Sequence, residues 1–291
     1  MRADSSLTLN AIALLVALPS PLLAKDGWDQ SPDRVDSWAE RALADFERDE
    51  GWSQRCHDEW SGGRFSHCEV REFSYPRTRH PLAVDGGQNG GMTVTGWNRD
   101  QVRILYRVRT RARSEERARA LAAEIQLESR NGWLRPEGPS EMSRRESWSI
   151  EIKAWVPRAS DLALRTHNGP LGVRGVRGTM DLSSQNGPVS LVDLAGAVEA
   201  RVQNGPLHVA LEGSRWDGPG LDAEAQNGPL NLSLSSRYSA RLVTGTINGP
   251  RSIDYAIGAK RRGGWISTTL GEGGAPVRVV TNNGPFHIGE R

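Results

Sequence analysis

Leu164-Arg165-Thr166-His167-Asn168-Gly169-Pro170-Leu171-Gly172-Val173 and, 18 residues later, Leu182-Ser183-Ser184-Gln185-Asn186-Gly187-Pro188-Val189-Ser190-Leu191 repeat one pattern around an Asn-Gly-Pro corner. The corner returns at Asn204-Gly205-Pro206, Asn227-Gly228-Pro229, Asn248-Gly249-Pro250 and Asn283-Gly284-Pro285, in steps of 18, 23, 21 and 35 residues. A recurring period near 20 residues marks a repeat architecture, in which each unit buries its apolar face on the next.

Alternation within the unit predicts strands. Three and five places after each Asn stand Leu171/Val173, Val189/Leu191, Leu207/Val209, Leu230/Leu232 and Phe286/Ile288, with Arg251/Ile253 the exception at one place. Four and two places before it stand Leu164/Thr166, Leu182/Ser184, Ala200/Val202, Ala223/Ala225, Thr244/Thr246 and Val279/Thr281. Each Asn thus shares the inward parity of the strand before it. Gly178, Gly196 and Gly258, with Gly213 one place early, mark a second turn. Two strands and two turns per unit describe a flattened coil, stacked about 4.8 Å from the next. The expected fold is mostly β: a parallel β-solenoid or β-roll with Asn-Gly-Pro turns. A meander of antiparallel hairpins is the rival, because Asn-Gly is a strong hairpin signal. Proline directly after glycine removes a donor at the first paired position and weighs against it.

Asn and Gly tolerate the positive φ of a tight corner, and Pro sends the chain out extended. Asn168, Asn186, Asn204, Asn227, Asn248 and Asn283 at one height of the stack predict a structural ladder of amide hydrogen bonds in a buried turn. The 35-residue step is read as hiding a degenerate coil at Arg262-Gly263-Gly264. Trp216-Asp217-Gly218-Pro219-Gly220 fills the 23-residue step as a loop.

The rest of the chain divides into three parts. Residues 1–24 read as a signal peptide, with Arg2, the apolar run Ala11–Leu18 and a small residue at Ala24. Residues 25–68 form a helical and disulfide segment, with an amphipathic helix predicted between 33 and 49. Cys56 and Cys68, an even pair in an exported chain, predict a disulfide that stabilises by roughly 3 kcal/mol. Metal binding by these cysteines with His57 and His67 is the alternative, made awkward by neighbouring side chains pointing to opposite faces. Residues 69–157 form a small β-rich module with one helix. Its strands are marked by Val102, Ile104, Tyr106 and Val108 and by Trp148, Ile150, Ile152, Ala154 and Val156; its helix is capped by Ser114. The solenoid repeats occupy 158–291.

The stretches Cys68-Glu69-Val70-Arg71-Glu72-Phe73 and Gly90-Gly91-Met92-Thr93-Val94-Thr95-Gly96-Trp97, with the Asn-Gly-x repeats, resemble the bacterial putative-adhesin family of exported β-strand-repeat proteins. The resemblance spans 68–291 and implies an exported protein whose biochemical role is undefined. Pro replaces the second Gly or acidic residue common in the family's repeats, so no ligand is carried over.

No phosphate loop, nucleophile elbow or dinucleotide fingerprint appears, and no catalytic residue, cofactor or metal is expected. The net charge of +2 gives no argument for nucleic acid. Arg103, Arg107, Arg109 and Arg111 share one strand face and form a candidate anionic-ligand patch; the competing reading is a solvated face neutralised by Glu115, Glu116 and Glu124. His167, His208 and His287 are read as unaligned surface residues. Trp155, outward on its strand, is read as packing against the first coil as a cap, with stacking on a sugar ring the alternative. The expectation is a non-enzymatic envelope or surface protein, periplasmic, surface-bound or secreted. Anionic polysaccharide, lipid headgroups or an envelope protein are its candidate partners. A carbohydrate-active β-helix enzyme such as a polysaccharide lyase is the alternative.

Overall fold

The computed structural model describes Cys56, residues 65–254 and 264–290, and the backbone of 260–262. The predicted signal peptide and the helix over 33–49 lie outside the described residues.

Phe65–Pro76 (β1), Leu82–Asp85 (β2), Gly90–Trp97 (β3) and Gln101–Ala112 (β4) precede the helix Glu115–Ala123 (α1). Gln126–Arg130 (β5), Trp133–Glu137 (β6) and Ser147–Pro157 (β7) follow it. The repeats then supply Leu162–Asn168 (β8), Leu171–Arg174 (β9), Arg177–Asn186 (β10), Val189–Val192 (β11), Ala195–Asn204 (β12), Leu207–Ala210 (β13), Gly220–Asn227 (β14) and Leu230–Leu234 (β15). Ala240–Asn248 (β16), Arg251–Ile253 (β17), Lys260–Arg262 (β18), Trp265–Leu270 (β19), Pro276–Asn283 (β20) and Phe286–Glu290 (β21) complete the described strands.

These strands form two large mixed sheets, neither closed into a barrel. One runs β1-β4-β7-β3-β9-β11-β13-β15-β21-β17 and the other β18-β19-β16-β20-β14-β12-β10-β8-β2-β6-β5. Each Asn-Gly-Pro corner carries the chain from the eleven-stranded sheet to the ten-stranded one. Within the repeats the pairing is parallel and like meets like. Asn186 pairs with Asn168 and Asn204, and Asn227 with Asn204 and Asn283; across the corner Leu171, Val189, Leu207, Leu230 and Phe286 share one row. Both sheets run on without a break into the N-terminal strands, because β9 pairs with β3 and β8 with β2.

The alternation places Leu164, Leu182, Ala200, Ala223 and Val279 opposite Leu171, Leu191, Val209, Leu232 and Ile288 in one continuous core. α1 is held as its sequence implies: Ser114 accepts a hydrogen bond from the Arg117 N–H at 3.2 Å, and Ala118, Leu121 and Ala122 are buried. Trp216, in the segment read as a loop, is buried too, and its indole N–H donates to the Gly196 carbonyl at 2.9 Å.

The order of the corners in space is not their order in the chain. β20 lies between β14 and β16, so the last corner inserts between the fourth and the fifth. The degenerate coil expected in the 35-residue step is instead an antiparallel addition: β19 pairs with β16, and β18 with β19. Parallel stacking on β16 is already used on one side by β20, and the short connection from β18 to β19 makes that pair antiparallel.

Glycine is required at the corner by contact between coils. Gly187 and Gly205 hold φ of 153° and 149°, and a Cβ on either would lie 2.2 Å from the carbonyl oxygen of the corner glycine in the next coil. The corner Asn, by contrast, does not take positive φ; among the described non-glycine residues only Asn131 and Asp193 do.

Gly205→Ala is therefore expected to lower stability by about 1–3 kcal/mol through strain, read as a fall in the thermal midpoint by circular dichroism. Tyr238 supplies a second check. It is buried, and burial pushes its phenol from 10.0 up to about 12. The fold favours the neutral phenol, so this contribution is complete below about pH 10 and is lost as pH climbs towards about 12. Ultraviolet titration should show a last tyrosine ionising at about pH 12, later than Tyr75, whose phenol burial also raises, and Tyr238→Phe should remove that last step.

Candidate functional site

The predicted ladder residues meet in single file. Asn186 donates its side-chain N–H to the Oδ1 of Asn168 at 3.0 Å, Asn204 to Asn186 at 3.0 Å and Asn227 to Asn204 at 3.0 Å. Asn283 donates to Asn227 at 2.9 Å, and Asn248 to Asn283 at 2.8 Å. At the head of the file Asn168 donates to the Gln88 carbonyl at 2.8 Å. The backbone repeats the pattern, since Gly169, Gly187, Gly205, Gly228 and Gly284 each donate to the Asn carbonyl of the adjoining coil at 2.8–3.0 Å. One expectation is corrected: the turn is not buried. The asparagines keep inward parity but end their strands, and at the corner solvent reaches them. The row is a stapled seam along one edge.

Cys56 and Cys68 form a disulfide. That consumes both thiols and excludes them as metal ligands. Among the described residues no three His, Cys, Asp or Glu side chains converge as a metal site requires.

The four arginines of β4 do not form a bare cationic strip. Arg103 grips Glu72 with two hydrogen bonds, 2.6 and 3.1 Å, which hold that carboxyl below its ordinary range. Arg107 is only 5% exposed and pairs with Glu151, which faces it in register from β7. Arg109 reaches the same carboxylate at 3.2 Å, and Arg111 is engaged as well. Glu72 and Glu151, on the flanking strands, supply the neutralising charge expected from Glu115, Glu116 and Glu124. Trp155 packs on Trp97, with ring centroids 6.4 Å apart, and Arg103 lies over it. β3, which carries Trp97, lies between the strand of Trp155 and β9.

The histidines need correction as well. His208 and His287 stand in the same phase, four places after a corner Asn, and share a row with Ser190 and Asn231 on the outward side of the ten-stranded sheet. Ser190, His208 and Asn231 are buried there, and His287 lies 3.4 Å from Asp254.

The open face of the molecule is the outer side of the eleven-stranded sheet. Between the inward pairs of each strand lie the outward ones. His167, Gln185, Gln203, Gln226 and Asn282, each one place before a corner Asn, fall on the neighbouring strands β8, β10, β12, β14 and β20. Beside them run Arg165, Ser183, Arg201 and Glu224. Together they line an open groove of about 600 Å³.

Most of the charges on this face are spent on one another. Arg201 pairs with Glu199 at 2.9 Å and Asp222 at 3.4 Å. Arg278 bridges Asp222 and Glu224, both at 2.7 Å. Burial opposes the charge of Arg278, but those two hydrogen bonds outweigh it and its pKa rises. Asn282 donates to Glu224 at 3.1 Å, and Asp85 lies 3.5 Å from Arg135. Two indoles flank the face: Arg165 lies over Trp133 at 4.4 Å and Arg278 over Trp265 at 5.0 Å. This row was missed because corner parity directs attention to the inward set; the recurring Gln at the position before Asn was its only signal.

The molecule is thus a repeat-built β protein with a polar, charge-balanced face. No protein-family model and no curated protein matches the chain. Among solved structures it is similar to a "putative cell adhesion protein" from Clostridium sporogenes, at 11% identity and a TM-score of 0.41, covering 77% of this chain and 100% of that one. It is also similar to a "putative adhesin" from Bacteroides fragilis, at 11% identity and a TM-score of 0.35, covering 77% and 97%. A "putative lipid binding protein" from Parabacteroides distasonis follows, at 8% identity and 0.32, covering 76% and 97%.

Arg278→Met leaves Asp222 to Arg201 alone and Glu224 to the Asn282 amide. It should cost about 1 kcal/mol at low ionic strength and less in concentrated salt, read from denaturant midpoints at two salt concentrations.

Proposed function

We propose that this chain is a non-enzymatic exported envelope or surface protein that adheres or assembles through the flank of a parallel β-solenoid with Asn-Gly-Pro turns. The observation that carries the reading is the outer face of the eleven-stranded sheet: an open, repeated, polar surface on which acids and arginines pair across strands. A hydrolytic or eliminating site needs carboxylates or bases in environments that push their pKa values apart. Here Asp222 and Glu224 share one arginine instead. The in-register parallel rows support the solenoid assignment. The Cys56–Cys68 bond supports export, because such bonds persist in oxidising compartments. Among the described residues no helix is long and apolar enough to cross a membrane. We assign residues 1–24 to a cleaved leader, 25–68 to the disulfide segment, 69–157 to the β-rich module and 158–291 to the solenoid.

Expression with the leader in a bacterial host should yield a mature chain beginning after Ala24, found outside the cytoplasm, with neither thiol open to maleimide. A full-length cytoplasmic product with two reactive thiols would overturn the export assignment. Incubation with polysaccharides should release no new reducing or unsaturated ends; steady release would overturn the non-enzymatic one.

A further inference from the structure

We propose that the row His167-Gln185-Gln203-Gln226-Asn282 binds one chain of an uncharged polysaccharide, laid across the strands of the eleven-stranded sheet. The inference rests on the reading of this face as a binding surface and names its ligand. Three observations carry it.

The first is a contrast between neighbouring positions. The corner asparagines are all engaged with one another. Gln185, Gln203 and Gln226, one residue earlier, are exposed, and among the described residues their amides make no hydrogen bond to the protein. A glutamine ladder that served stability would be closed in the same way as the asparagine one. These amides are left open.

The second is chemistry. Each glutamine amide offers two donors and an acceptor, and a sugar hydroxyl is also both donor and acceptor. Strands recur about every 4.8 Å, so Gln185, Gln203 and Gln226 present one such amide per step on three successive strands to a polymer that itself presents hydroxyls at regular intervals, with His167 and Asn282 at the ends of the row. A single sugar would meet one or two amides, whereas a chain meets the whole row.

The third is charge. The groove is lined by two arginines, Arg165 and Arg201, and two acids, Asp85 and Glu224. An acidic polymer meets a wall whose formal charges balance, where Arg201 is already paired with Glu199 and Asp222 and Arg165 is held over Trp133. Recognition is left to the neutral groups.

The test is affinity electrophoresis of the mature full chain through gels containing laminarin, dextran or galactomannan as neutral polymers, or alginate or polygalacturonate as acidic ones. Each is run at low and high salt. At least one neutral polymer should retard the protein, and high salt should leave the retardation unchanged. The triple substitution Gln185→Ala, Gln203→Ala and Gln226→Ala should weaken it about tenfold or more, as expected for several lost hydrogen bonds. The thermal midpoint should stay where it is, since exposed, unbonded side chains are removed. Retardation by acidic polymers alone, abolished by salt, would overturn the ligand class while leaving a binding surface in place. Equal retardation of the triple variant by a neutral polymer would overturn the site. No retardation by any neutral polymer would overturn the inference as a whole.

Discussion

The structure depends on how closely identical corners can approach. At Gly187, Gly205, Gly228, Gly249 and Gly284 a Cβ would sit 2.0–2.2 Å from the carbonyl oxygen of a neighbouring corner glycine. Only a bare α-carbon allows that approach, and once it is made the rest is fixed in register. The glycine N–H reaches the neighbouring Asn carbonyl, and the Asn amide reaches the neighbouring Asn side chain. The strands on both sides then begin their pairing at the same height. A slip of one residue would send every inward leucine and valine to solvent, so a small set of contacts at the edge governs the packing of the core.

The same register creates the outer face. Because inward and outward positions alternate strictly, a stack that aligns Leu164, Leu182, Ala200 and Ala223 must also align the residues between them. Gln185, Gln203 and Gln226 become a row by consequence, and so do the crossed ion pairs of Arg201, Asp222, Arg278 and Glu224. The exposed seam of asparagines bounds that row on one side. Function on such a scaffold is a matter of what each outward column presents, and this column presents open amides between balanced charges.

The N-terminal strands complete the stack without repeating it. β2 and β3 continue the two sheets past β8 and β9, while β4 and β7 hold their arginines and glutamate against each other. Arg107 and Glu151 show why an arginine-rich strand was not a cationic surface: the partner lies 44 residues away in the chain but directly opposite in register. Counting charges along one strand cannot see the strand beside it.

The amino-acid order alone determined what is local and periodic: the Asn-Gly-Pro corners, the inward parity of their flanks, the serine cap of α1 and the pairing of the only two cysteines. Those features follow from a residue's own backbone preferences and from a spacing of two, which a linear reading contains. Tertiary structure decided everything that depends on which strand becomes the neighbour. It placed Asn283 between Asn227 and Asn248, made an antiparallel edge where another coil was expected, and gathered His208 and His287 into one row. It also left the glutamines open where the asparagines are closed. Such outcomes turn on competition for one free sheet edge, and sequence distance does not record who occupies it.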